Sequence, residues 1–337
     1  MKMESNQSAS PVRVCMIGAG TTARSVHYPS LADFDDVEIA GICELDHARL
    51  DAVANEYGVP NSGRFYAQEF DAYRSMLETV RPDGVYAVGQ PHIMYDIWRW
   101  CLVNGFNLFI EKPMGLTWHQ AQMLSHLATE NGCITQVSHQ RRTAPLLHQL
   151  RDTLLEKGPI THAVVEFFKY DMVPMTGARD HMMDDCTHSV DTARWICGGE
   201  VVGIESHCKR IGTPDINWIG ATLQFDNGST CFVVNNWASG RRVFRVQMHA
   251  PGGYTDAEVD GNGYLYLDGD YDGRVFETTE VAGSDQTYVY GGFRTKNREF
   301  IDSVMAGTSM TSSPFSDTVK TMEVCEKILA QALLRGE

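Results

Sequence analysis

At 337 residues, 43% hydrophobic and 21% charged, the chain is long enough to bury a sizeable core and to divide into two domains. A formal net charge of -15 argues against nucleic acid or an anionic membrane surface, which demand clustered Lys and Arg, so the expected partner is a small molecule. Nine cysteines with no C-x-x-C pair read as thiols packed like small hydrophobes in a reducing, cytoplasmic setting. No stretch offers the ~18 uninterrupted apolar residues of a membrane span.

Residues 1–10 are polar and read as a flexible tail. From residue 11 to about 140, short apolar runs alternate with longer amphipathic segments. VRVCMI, VEIAGIC, GVYAV, NLFI and CITQV are separated by helix-like stretches, among them Asp46 to Tyr57 and Ile93 to Asn104, the latter stopped by Gly105. Such alternation predicts βαβ units around a parallel sheet. Over residues 141–337 the pattern changes: THAVVEFFKY, ATLQF, STCFVVNNW, RVFRVQMHA and GYLYLDG alternate or are rich in aromatics, and Asp226-Asn227-Gly228 reads as a hairpin turn between two of them. Helices are expected over Asp184 to Ile196, Arg294 to Met305 and Ser316 to Leu334. The fold class is therefore α/β: an N-terminal Rossmann dinucleotide-binding domain and a C-terminal α+β domain with a large open, mainly antiparallel sheet.

Gly18-Ala19-Gly20-Thr21-Thr22-Ala23 follows the first strand and opens a helix. In such a G-x-G-x-x-A run the first glycine permits a tight turn, the second admits a pyrophosphate, and the small final residue lets helix and strand pack closely. Glu44 ends the second strand, 21 residues after Ala23. A carboxylate there accepts from ribose hydroxyls and repels a 2′-phosphate, which favours NAD over NADP. It also stands where it could cap the helix from Asp46.

Glu111-Lys112-Pro113 comes directly after NLFI, at the carboxyl end of a parallel strand, where open α/β sheets bind ligands. Proline restricts the residue before it, giving Lys112 a defined pose from which an ammonium could stabilise a developing alkoxide. Asp184, His188 and Asp191 follow at spacings of four and seven, which on one helix gives them a common face. His188 suits proton transfer near neutrality, Asp184 could orient it or bind substrate, and Asp191 could serve in an ion pair. No metal site is expected. Asp, His and Asp lack the further His or Cys that a zinc centre uses, and Asp268-Gly-Asp270-Tyr-Asp272-Gly273 copies a calcium loop but places Thr279 where the bidentate Glu belongs. That stretch reads as a β-turn.

Taken together, these motifs resemble the glucose-fructose oxidoreductase / inositol dehydrogenase / MocA (Gfo/Idh/MocA) family over nearly the whole chain. Gly18, Gly20 and Ala23 match its phosphate turn, Glu44 its ribose carboxylate, Glu111-Lys112-Pro113 its E-K-P signature, and Asp184, His188 and Asp191 its D-x-x-x-H-x-x-D run. The resemblance implies an NAD-dependent dehydrogenase in which Lys112, Asp184 and His188 surround the hydride-exchanging carbon of a sugar or polyol. It implies cofactor contacts from Gly18, Gly20, Thr21, Thr22, Ala23, Glu44, Glu111 and Lys112, and a homodimer or homotetramer formed on the outer sheet face. Where relatives carry a T-P-N turn, this chain has Gln90-Pro91-His92 followed by Tyr95, expected on the cofactor as well. Where relatives are glycine-rich, it has Arg179-Asp180-His181-Met182-Met183. Arg142, Tyr170 and Arg179 are expected substrate contacts, with Asp171, His181 and Trp237 nearby candidates. The alternatives are a glycosidase or lyase that uses tightly bound NAD for transient oxidation, and a non-catalytic binding protein on the same fold.

Overall fold

A computed structural model describes residues 10–67, 71–175 and 179–336; the tail expected over residues 1–10 lies outside it up to residue 9. The first sheet holds β1 (Val12–Ile17), β2 (Val37–Glu44), β3 (Arg64–Tyr66), β4 (Gly84–Ala87), β5 (Leu108–Ile110) and β6 (Thr135–Val137). They lie in the order β3-β2-β1-β4-β5-β6, all parallel. The central strands β4 and β5 are buried at every position, as befits a sheet covered on both faces. The order reverses between β1 and β4, which opens a crevice at the carboxyl ends of those strands. β3 spans only three residues, too few for a periodic signal in sequence.

The second sheet contains β7 (His162–Tyr170), β8 (Val201–Lys209), β9 (Trp218–Phe225), β10 (Thr230–Asn236), β11 (Ala238–Ala250), β12 (Gly253–Glu258), β13 (Asn262–Leu267) and β14 (Arg274–Glu277). Their order is β14-β13-β12-β11-β7-β10-β9-β8. Every pairing is antiparallel except β7 with β10. Asp226-Asn227-Gly228 forms the β9–β10 hairpin, with Gly228 at φ 87°, a backbone angle that glycine adopts without steric cost. The Asp268–Gly273 stretch is a turn between β13 and β14, and no group of three metal-ligating side chains occurs among the described residues.

Ala163, Val165 and Phe167 of β7 alternate with more exposed neighbours, so one sheet face is apolar and must be covered. The helices Pro145–Leu155, Thr187–Cys197 and Phe315–Leu334 pack on it. The opposite face stays half-exposed and carries a run of stacked rings, His162 on His249 at 3.9 Å, His249 on Tyr254 at 4.6 Å and Tyr254 on Tyr266 at 5.6 Å. No described helix is long and apolar enough to cross a membrane.

The helix Phe293–Ala306 follows the second sheet in the chain but packs on the first. Phe300 is fully buried and meets Tyr86 edge-on at 5.4 Å and Phe109 at 5.7 Å. A Cβ added at Gly84 would lie 2.9 Å from its ring, so strand and helix fit with no spare room. Phe300→Ala leaves a cavity between helix and sheet, and urea denaturation of the variant is expected to show a loss of about 3–5 kcal/mol.

Candidate active site

The two glycines of the phosphate turn have different surroundings. Gly18 sits at φ 98°, and a Cβ there would fall 2.1 Å from the Val88 carbonyl oxygen, whereas a Cβ at Gly20 would meet nothing within 4 Å. The first is a packing requirement between β1 and the residue after β4; the second leaves open space over the turn, where a phosphate can approach the backbone. Beyond Thr21 and Thr22 the chain winds as a π-helical turn, Ala23–His27, a form often found at functional sites.

Two adjoining hollows run along this edge. One, of ≈ 270 Å³, is bordered by Gly18, Gly20, Glu44, Arg49, Tyr73, Gln90 and Met94, among others. The next, of ≈ 330 Å³, is bordered by Gly20, Thr21, Thr22, Ala23, Gln90, Pro91, Glu111, Lys112 and Asp184. Shared walls at Gly20, Val88, Gly89 and Gln90 make them one trough, apolar toward Met94 and Ile97 and polar toward Lys112 and Asp184.

Glu44 does more than face this trough. Its Oε2 accepts from the Ala19 N–H at 2.7 Å, and its Oε1 from the N–H groups of Leu45 at 2.8 Å and Asp46 at 3.0 Å. The carboxylate thus ties the end of β2 to the glycine turn. It does not cap the helix His47–Glu56, whose cap is Asp46 accepting from the Arg49 N–H. Glu111 is likewise tied back, its Oε1 2.7 Å from Nε2 of the buried His27. Desolvation works to raise the Glu111 carboxyl, and His27, joined by Ser138 and the Lys112 charge, outweighs it and holds the group below its ordinary range.

Lys112 reaches across to the loop before the Thr187–Cys197 helix. Its Nζ donates to Asp185 Oδ1 at 2.8 Å and to Asp184 Oδ1 at 3.2 Å, and Lys169, on β7, donates to the other oxygen of Asp185. Burial opposes the charge on Lys112, but Asp185 and Asp184 override it and keep the ammonium protonated far above neutrality. Burial also opposes the charge on Asp185, and the two lysines hold it well below the carboxylate range. The residues that approach His188 give it the reverse bias. Burial first, then the nearby Lys112 charge, push the imidazole well below its usual value, so it stays neutral at physiological pH.

Several expected contacts take other places. Asp184 is not on the helix, which begins at Thr187 and has no side-chain cap; it bonds Lys112 instead, and His188 Nδ1 is buried without a hydrogen-bond partner. Asp191 accepts both Arg142 Nε at 2.8 Å and Arg142 Nη2 at 2.6 Å, and also the Thr321 hydroxyl at 3.0 Å. Arg142, expected to bind substrate, is instead a buried clamp that further pairs with Asp317 at 2.7 Å. Its fork suits two carboxylates better than open water. Arg179 pairs with Asp180 and Glu326. Tyr170, at the last position of β7, is 75% exposed, and the neighbouring Asp171 bonds through its N–H to the Trp237 carbonyl. Trp237 is buried beneath His181, ring centres 5.0 Å apart. On the helix Pro91–Val103, His92 is exposed and Tyr95 lies beneath Arg99, while Ile93, Met94 and Ile97 face the trough.

Sequence reasoning missed Asp185, Lys169, Arg49 and His139. Asp184 reads from sequence as a helix start, but nothing local says that it and its neighbour Asp185 both meet Lys112. His139, just after β6, is 1% exposed with neither ring nitrogen hydrogen-bonded, its Nδ1 stands 3.7 Å from Asp191 Oδ2, and its ring is edge-on to His188 at 6.2 Å.

Residues 12–139 match the GFO_IDH_MocA family, described as an oxidoreductase family with an NAD-binding Rossmann fold. The chain is similar to a D-glucoside 3-dehydrogenase of Escherichia coli, 24% identical over 263 residues covering 70% of this chain and 73% of that one. It is similar to a scyllo-inositol 2-dehydrogenase (NAD(+)) of Bacillus subtilis, 25% identical over 193 residues covering 54% of each. Its fold matches the crystal structure of a dehydrogenase from Chromobacterium violaceum with a TM-score of 0.85, 18% identity and 97% of both chains covered.

Burial pushes His139 down to about 4 from 6.5. An imidazole held neutral in the fold binds fewer protons than in the unfolded chain, so its stabilisation is complete above pH 6.5 and is lost as the pH falls toward 4. Lowering the pH from 7.5 to 5 is expected to cost about 2 kcal/mol through this residue. Denaturant titrations of the protein and of His139→Asn at both pH values should show that slope shrinking in the variant.

Proposed function

We propose, from the premise that this chain belongs to the Gfo/Idh/MocA family of NAD-binding oxidoreductases, that it transfers hydride between nicotinamide and a hydroxyl-bearing carbon of a sugar or polyol. Residues 11–140 hold the dinucleotide, and 141–337 supply the remaining substrate contacts. The observation that carries this reading is Lys112 on the trough wall, its ammonium held by Asp185 at 2.8 Å and Asp184 at 3.2 Å, with buried His188 near enough for that charge to help keep its imidazole neutral. When bound, NAD supplies the nicotinamide ring that takes or returns the hydride.

The chain's own groups divide the remaining work. The open space over Gly20 and the N–H groups opening the first helix receive the pyrophosphate, and Glu44 takes the ribose hydroxyls while its charge disfavours a 2′-phosphate. Thr21, Thr22, Gln90 and Pro91 border the stretch between that cradle and Lys112. The Lys112 ammonium donates to the substrate oxygen and stabilises the negative charge that develops on it. His188, neutral and ready to accept, takes the hydroxyl proton. Asp184, on the trough wall beside Lys112, accepts from a neighbouring hydroxyl. Asp185 holds both lysines in place and is a positioning residue.

The glycosidase or lyase alternative has less support. The glucoside-specific relative is itself named a dehydrogenase.

The half-exposed outer face of the second sheet, with Phe232 44% exposed at its middle and its stacked rings, is the surface through which a homodimer or homotetramer forms. Light scattering at micromolar concentration is expected to return at least twice the 37.6 kDa chain mass; a monomer would refute the interface.

For the chemistry, Lys112→Ala and His188→Ala are expected to slow single-turnover NADH formation on a sugar or cyclitol substrate by roughly a hundred- to ten-thousand-fold, with NAD affinity changed far less. Thermal unfolding serves as the control for folding. Near-normal transfer in both variants would remove these residues from the reaction.

A further inference from the structure

Beyond Lys112 and His188, the inner edge of the second sheet offers a platform of two buried rings, Phe167 and Phe244, with centres 5.1 Å apart. His188 stands edge-on to both, at 6.2 and 6.5 Å. Cations surround this platform. Arg141 lies 4.7 Å over Phe244, Lys169 5.1 Å and Arg242 5.9 Å over Phe167.

The charges are unevenly answered. Lys169 shares Asp185 with Lys112, and Lys112 has Asp184 besides. Arg141 has one carboxylate contact, a single Nη1 to Asp260 at 3.5 Å, and that carboxylate is 42% exposed. The Arg141 side chain is 6% exposed and its Nε has no partner. Arg242, on the exposed end of β11, faces no carboxylate among the described residues. A guanidinium carries five donors and loses hydration on burial, so a nearly buried one with a single long contact leaves desolvation uncompensated. An aromatic face recovers part of that cost, which is less than a charge-assisted fork supplies. Arg142, one residue on, shows the contrast: it is answered by two carboxylates and a carbonyl.

We infer that Arg141 and Arg242 form an anion subsite beside the reacting centre, and that the polyol handled here bears an acidic group, a carboxylate or a phosphate, at the end remote from the oxidised carbon. The inference rests on the dehydrogenase reading for the position of the reacting carbon, while the subsite itself stands on the two arginines. Lys112 and His188 take the reacting hydroxyl, and the guanidinium groups, held beside His188 on the Phe167 and Phe244 rings, take the charge. Arg presents a planar fork that matches carboxylate and phosphate oxygens in pairs.

The test is calorimetric titration of the protein saturated with NAD, which fills the dinucleotide cradle and leaves only the substrate side open. The probes are L-tartrate, inorganic phosphate, and erythritol as the neutral four-carbon control. At least one anion should bind about tenfold or more tighter than erythritol, and Arg242→Gln and Arg141→Gln should each erase about that factor. Tighter tartrate assigns a carboxylate, tighter phosphate a phosphate. Arg141 is buried and its replacement puts folding at risk, so the exposed Arg242→Gln carries the test independently. Anions that bind no better than erythritol, or equally well to Arg242→Gln, overturn the subsite. NADH formation assayed over matched neutral and acidic sugars separates the two ideas. Turnover of neutral sugars without anion preference sinks the subsite alone, and anion binding without any turnover sinks the dehydrogenase reading alone.

Discussion

One carboxylate, that of Asp185, is shared by two ammonium groups from different parts of the fold. Lys112 comes from the turn after β5 of the first sheet, Lys169 from β7 of the second, and Asp185 from the loop before the Thr187–Cys197 helix. Three charges at least half withdrawn from water would be costly in any other arrangement, since each ion loses several kcal/mol of hydration on burial. Removing Asp185 takes the shared carboxylate from both lysines and leaves Lys112 with Asp184 alone. The bridge therefore fixes the distance between the dinucleotide trough and the second sheet, and it fixes the protonation of Lys112.

Around that bridge the site separates two titratable groups by environment. Lys112 is stabilised as a cation by two carboxylates, and His188, held among apolar rings and close to that cation, is stabilised as a neutral base. Environments that push two groups in opposite directions are the usual mark of an acid and base pair.

Behind His188 lies a second buried network with no opening to the trough. Asp191 and Asp317 close on Arg142, and Arg194 joins through Asp317. Lys296, fully buried and lowered by desolvation to about 8, is answered by Glu299 and by the hydroxyls of Ser312 and Ser313. These pairs link the helices Thr187–Cys197, Phe293–Ala306 and Phe315–Leu334 to the segment after β6. Their role is to hold the start of the His188 helix at a set position; half-satisfied networks of this kind are costly, fully satisfied ones rigid.

The sequence alone determined whatever depends on neighbours along the chain. The glycine turn, the carboxylate ending β2, the lysine after β5, the alternation of β7 and the Asp226-Asn227-Gly228 hairpin are local, because dihedral limits, strand periodicity and turn chemistry act over a few residues. The same locality explains the errors. Asp184, His188 and Asp191 have helical spacing, yet the helix begins at Thr187, because Asp184 and Asp185 bond a lysine more than 70 positions away. Arg142 and Arg141 are adjacent and chemically identical, and only the tertiary structure makes one a buried clamp on Asp191 and leaves the other short of partners over Phe244. Which charge meets which is decided by packing between the two sheets, and a long-range ion pair leaves no periodic trace in the sequence that encodes it.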